Sequence, residues 1–125
     1  MSENMNGEAL SVITGSTLAE VLRRTAEWRR EKAAEFPDDS RNEEAADLLE
    51  SLADSTEELD YEEMAPLNAA ADEVDGYTFT ERTNEFIGRI GFDHFPAGNK
   101  PVHLMLMLAA AARGGSWTPL GREAA

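Results

Sequence analysis

Residues 17–54 read TLAEVLRRTAEWRREKAAEFPDDSRNEEAADLLESLAD, and the spacing of apolar and charged side chains in this stretch decides the fold class. Thr17-Leu-Ala-Glu20 has the form of a capping box, in which the hydroxyl and the carboxylate each satisfy an orphan backbone N–H at a helix start. Leu18, Val21, Leu22, Thr25, Trp28, Lys32 and Phe36 then recur at helical spacing. They predict one stripe facing a core, and Pro37 sets the stop near Glu35. A second start follows in Asp38-Asp39-Ser40, with Glu43 three residues after Ser40, and predicts a helix over 41–54. On its projection Ala45, Leu48, Leu49 and Leu52 gather on one side, and Glu43, Asp47, Glu50 and Asp54 on the other. The link from Phe36 to Ser40 is short enough to make the two helices antiparallel neighbours in an αα-hairpin.

Downstream, Ser55-Thr-Glu-Glu58 and Asp60-Tyr-Glu-Glu63 both have the form of helix starts, and Pro66 is tolerable only in a first turn. A helix over 65–74 follows, with Leu67, Ala70, Ala71 and Val74 inward and Gly76 as terminator. Tyr77 to Thr80 reads as the lead-in to a helix over 81–90 capped by Thr80, with Phe86, Ile87 and Ile90 apolar. Pro, Gly and Asn crowd residues 92–100 into a loop. Pro101 opens a last helix that is apolar from Val102 to Ala112 except at His103, so it has no broad solvent face. It falls short of the roughly 20 residues that span a bilayer, and is expected to be a core helix or an oligomer interface.

The expected fold is therefore all-α: a single-domain bundle of four to five helices with an N-terminal αα-hairpin and an apolar C-terminal core helix. Residues 1–15 read as a flexible lead-in, 16–113 as the helical domain and 114–125 as a tail. A chain of 125 residues, 42% hydrophobic and 29% charged, can build one core without disulfides or a metal. With no cysteine, thiol catalysis, thiolate metal sites and a disulfide framework are excluded. There is no apolar run of about 18 residues, and Glu3 and Glu8 stand where a signal peptide carries positive charge. The cytoplasm is the expected location, and no cofactor is expected.

Acidic residues number 25 against 11 basic, for a net charge of −14. Such a balance argues against direct binding of nucleic acid or an anionic membrane, both of which need clustered Lys and Arg. Residues 37–76 hold fifteen acids and one base, so the whole excess sits there and both flanks are nearly neutral. On the second helix the acids recur three or four residues apart, a repulsive arrangement. Two readings fit: a solvated face, and a surface that docks a basic protein partner, as an inhibitor or polyanion mimic occupying a nucleic-acid-binding groove. Glu43, Asp47, Glu50 and Asp54 span about 16 Å, one charge per roughly 5.5 Å, sparser than the one per roughly 3.4 Å of a DNA strand. Mimicry would need Glu57, Glu58, Asp60, Glu62 and Glu63 to extend or flank the stripe.

Two alternatives stand beside this non-enzymatic reading. Asp47 with Glu50, and Asp72 with Asp75, are carboxylate pairs at i, i+3 that could hold Mg²⁺ against a nucleotide phosphate in an all-α hydrolase. The helix over 102–112 could instead hold a homo-oligomeric scaffold. Arg23, Arg24, Arg29, Arg30 and Lys32 form the basic cluster of the first helix and are expected to pair with the acids of the second. Phe92 and Phe95, in a polar connection, are either a lid on the core or secondary partner contacts. His94 could form a dyad with Asp93, yet no nucleophile signature accompanies it, and His103 is expected to be hydrogen-bonded near a helix start.

Overall fold

Thr14, not Thr17, opens the first helix. The computed structural model describes residues 13–92 and 100–114, and its first helix, α1, runs over Gly15–Glu35. The Thr14 hydroxyl accepts from the Thr17 backbone N–H at 3.1 Å, and the two hydroxyls lie 2.9 Å apart, so Thr17 completes the cap three residues inside the helix. Ile13 is already part of the folded unit: its N–H donates to Asn68 Oδ1 at 2.7 Å and its carbonyl accepts from Asn68 Nδ2 at 3.0 Å. The expected lead-in thus gives up its last three residues to the domain, and residues 1–12 and 115–125 lie outside the described residues.

Four further helices follow: α2 (Arg41–Thr56), α3 (Ala65–Glu73), α4 (Gly76–Gly88) and α5 (Pro101–Ala112). Among the described residues the protein is an all-α bundle of five helices. The α1–α2 hairpin is antiparallel, since Arg23 reaches Asp54 and Glu57 while Arg30, seven residues on, reaches back to Glu43, Asp47 and Glu50. Its seam differs from the stripe of large residues. Gly15, Leu18, Ala19, Leu22 and Ala26 are the buried positions of α1, whereas Trp28 and Phe36 are exposed. Opposite them α2 buries Asn42, Ala45, Ala46, Leu49, Leu52, Ala53 and Thr56, with Leu48 half-buried at the edge. Small residues on both helices let the backbones approach closely, and a Cβ at Gly15 would run into the carbonyl oxygen of Thr56.

Local chemistry also moves the other helix ends. Ser40 makes no side-chain cap, and the first N–H of α2, that of Arg41, donates to Asp39 Oδ1 instead. Asp60 and Glu63 exchange backbone bonds, the Asp60 N–H to Glu63 Oε1 at 2.9 Å and the Glu63 N–H to Asp60 Oδ1 at 2.8 Å. This capping box closes one turn ahead of α3. Gly76 does not terminate a helix and Thr80 does not cap one. Asp75 is the N-cap of α4, accepting from the Thr78 N–H and hydroxyl, so the residues expected as a lead-in form its first turn. The helix stops at Gly88, before Ile90, which is fully buried.

Helix α5 packs on α3 and α4 and reaches α2, burying Leu104, Met105, Met107, Leu108, Ala109 and Ala112. One part of its apolar surface remains open, because Val102 and Leu106 are 57% and 55% exposed. Arg82 Nη1 donates to Ala112 O at 2.9 Å, and Arg113 makes two 2.7 Å bonds to Glu73, tying the end of α5 to α4 and α3. Against expectation, His103 Nδ1 is buried with no hydrogen-bond partner among the described residues. No described helix is long and apolar enough to cross a membrane.

Candidate partner-binding surface

The nine carboxylates expected to carry partner binding divide into two groups. Arg30 holds three of them, with Nη1 3.3 Å from Glu43 and Nη2 3.2 Å from Asp47 and 2.8 Å from Glu50. Arg23 holds two, with Nη2 3.0 Å from Asp54 and 2.7 Å from Glu57. Both guanidiniums are held above their ordinary range, Arg30 by its hydrogen bonds to Glu50 and Asp47, Arg23 by those to Glu57 and Asp54. The acidic stripe of α2 is therefore engaged by its neighbour in the hairpin, and five carboxylates around two arginines leave it negative. Such exposed pairs contribute about 0–1 kcal/mol each, so the network shapes charge more than it stabilises the fold.

Glu58, Asp60, Glu62 and Glu63 form the second group. They sit in the α2–α3 connection, all exposed, and none has an ion pair among the described residues. The Asp60–Glu63 box fixes the backbone there. Tyr61 projects from the middle of it, 71% exposed, and is the one aromatic residue between positions 37 and 76. Large exposed aromatics beside charge are the composition of interface anchors. The charge pattern does not mark Tyr61, although its isolation in an acidic run is visible in the sequence.

Phe92 is a different case. It is half-buried, with the Arg29 guanidinium 4.0 Å and the Arg41 guanidinium 4.8 Å from its ring centre. Arg29 also lies 4.4 Å from the Trp28 ring, donates to Asn42 Oδ1 at 3.0 Å and reaches the Gly88 carbonyl. Burial and then repulsion from Arg41 push its guanidinium below the ordinary range. Of the basic cluster, Arg23 and Arg30 pair across the hairpin, Lys32 pairs with Glu35 on its own helix at 3.3 Å, and Arg29 turns inward to pin α4 against the hairpin. Helical spacing places Arg29 on the inward stripe, seven residues after the buried Leu22, and Arg30 about 100° further round; what the spacing does not give is Arg29's partners, Phe92 and Gly88. Phe95, His94 and Asp93 lie outside the described residues.

No family model, no curated protein and no solved structure matches this chain.

The carboxylates of the metal alternative are not brought together. Asp47 and Glu50 face Arg30, and Asp75 is used as the cap of α4, where its bonds from Thr78 hold its carboxyl below the ordinary range. Among the described residues no group of three or more His, Asp or Glu side chains is arranged to hold a metal ion.

Proposed function

We propose that this protein is a non-enzymatic interaction protein whose acidic surface docks a basic protein partner, with the contact centred on residues 57–63. The observation that supports this most is the exposed Tyr61 surrounded by Glu58, Asp60, Glu62 and Glu63 on a backbone held by its own capping box. The arginine-held carboxylates Glu43, Asp47, Glu50, Asp54 and Glu57 flank that centre. They contribute a long-range field that draws in a basic surface, while the ring and the unpaired carboxylates supply short-range contact. Occupation of a partner's nucleic-acid-binding groove is the specific form of this reading in which the protein acts as an inhibitor.

Capture of a basic protein from the native host, at low and high salt, tests it. Capture should weaken with salt and be lost in Glu58→Lys/Glu62→Lys and in Tyr61→Ala, while Glu50→Lys, whose carboxylate is already held by Arg30, weakens it less. Salt-insensitive capture that survives Glu58→Lys/Glu62→Lys rejects the reading. Competition by DNA for the captured partner distinguishes groove occupation from docking elsewhere.

A second reading rests on Val102 and Leu106, an exposed i, i+4 pair on a helix without a charged residue. It makes α5 the seam of a homo-oligomer. The molar mass in solution should then exceed one chain and return to one chain in Leu106→Glu; a single-chain mass for the unaltered protein removes it.

A further inference from the structure

A half-open cavity of about 190 Å³ lies between α1 and α4, over residues of α3 and α5, and no residue of α2 lines it. Its floor is the core itself, Leu67, Ile87 and Leu108, and its walls are the half-buried Val21 and Phe79. No lining residue is charged, in a chain where 29% of residues are. The volume is slightly larger than the roughly 150 Å³ at which an apolar protein cavity accepts benzene. It is far too small for a peptide segment or a helix, which need a contact of about 1,000 Å² or more.

The mouth adds a polar feature. Thr83, on the wall, bonds its hydroxyl back to the Phe79 carbonyl at 2.8 Å, and Thr25 on α1 does the same to Val21 at 3.0 Å. Thr80 does not: its hydroxyl and the Asn84 amide, one turn apart on α4, have no hydrogen-bond partner among the described residues. They present a donor and acceptor pair at the rim of an apolar pocket, the arrangement by which small-molecule sites fix orientation.

We propose that this cavity binds a small uncharged amphiphile, an aromatic ring or a chain of about six to eight carbons, with its hydroxyl or carbonyl group at Thr80 and Asn84. The apolar body covers the floor, and the polar group keeps its hydrogen bonds at the mouth. A carboxylate in the same place would meet no cation and a strongly negative protein.

The full chain titrated with p-cresol and followed by two-dimensional amide NMR tests this. Saturable shifts should appear at Val21, Phe79, Thr80 and Asn84, with a rise in melting temperature that tracks occupancy. Toluene, which lacks the hydroxyl, should bind about tenfold more weakly, and 4-methylbenzoate not at all. Thr80→Val/Asn84→Ala, both exposed positions that leave the core intact, should abolish the preference for p-cresol over toluene. Val21→Phe, which fills the cavity, should remove binding of both. Absence of saturable shifts at the cavity residues, tight binding of 4-methylbenzoate, or a p-cresol preference that survives Thr80→Val/Asn84→Ala would overturn the assignment.

Discussion

Gly91 adopts φ = +93°, a left-handed conformation that costs an L-residue about 1–2 kcal/mol. It does so directly against α2, where an added Cβ would meet the Ala45 Cβ at 2.6 Å and its Cα at 2.8 Å. The position therefore has two independent reasons to be glycine, and neither partner can yield, since Ala45 is itself buried in the hairpin. Gly91→Ala should destabilise the protein by about 2–5 kcal/mol, the sum of the conformational cost and the overlap. Urea denaturation should show this as a lower midpoint with an unchanged slope. The sequence marks Gly91 only as the end of an apolar pattern; what makes it irreplaceable is Ala45, forty-six residues earlier, and no local signal carries that distance.

At the scale of elements, α2 contains more like charge than its own backbone favours, and α1 supplies the remedy. Removing Arg30 leaves Glu43, Asp47 and Glu50 at i, i+3 and i, i+4 spacing with their repulsion uncompensated. Arg30→Ala should cost no more than about 1–2 kcal/mol, because all four side chains are substantially exposed and each pair is worth little. Its distinguishing mark is the salt dependence. Added salt screens repulsion in the variant and attraction in the native protein, so the stability gap should narrow as ionic strength rises; a gap that widens with salt contradicts this account. The helix caps follow the same logic of local chemistry. Asp75 rather than Thr80 opens α4 because its carboxylate reaches both the N–H and the hydroxyl of Thr78. Asp75→Ala should lower stability by about 1 kcal/mol, readable in thermal melts.

Across the whole molecule two paired carboxylates, Asp39 and Glu73, are lowered by arginine partners and so contribute to stability on the acid side. Hydrogen bonds from Arg41, from its side chain first and then its backbone, hold the Asp39 carboxyl at about 2, below the ordinary 3.8. Arg113 holds the Glu73 carboxyl below 4.5 in the same way. A group depressed in the folded state contributes stability that is present above its unfolded value and lost as pH falls through its folded value. For Asp39 that window runs from 3.8 down to about 2. Carboxyl NMR should show Asp39 titrating near the bottom of the window, and Arg41→Ala should return it towards the ordinary value. Arg113→Ala should similarly flatten the loss of stability below pH 4.5 that belongs to Glu73.

Fold class was legible because helical spacing, Pro37, Pro66 and Pro101 act through neighbours a few residues away, and such rules survive folding. The hairpin followed from the length of one link. The bounds of the helices were less legible where more than one side chain has the chemistry of a cap, as Thr14 and Thr17 do for α1 and Asp75 and Thr80 do for α4; the backbone N–H that each one reaches settles the start. The concentration of charge in residues 37–76 is a property of the sequence alone, and it located an acidic surface without the structure.

Which carboxylates on that surface are already held was decided by tertiary packing. Arg30 reaches Glu50 across twenty residues of chain and Arg23 reaches Glu57 across thirty-four. The same holds for Arg29, which the charge pattern groups with its neighbours and the fold turns inward to Phe92 and Gly88. It holds too for the cavity between α1 and α4. Periodicity specifies which side of a helix is apolar, whereas the angle at which two such sides meet, and the space left between them, depends on every side chain packed at the contact.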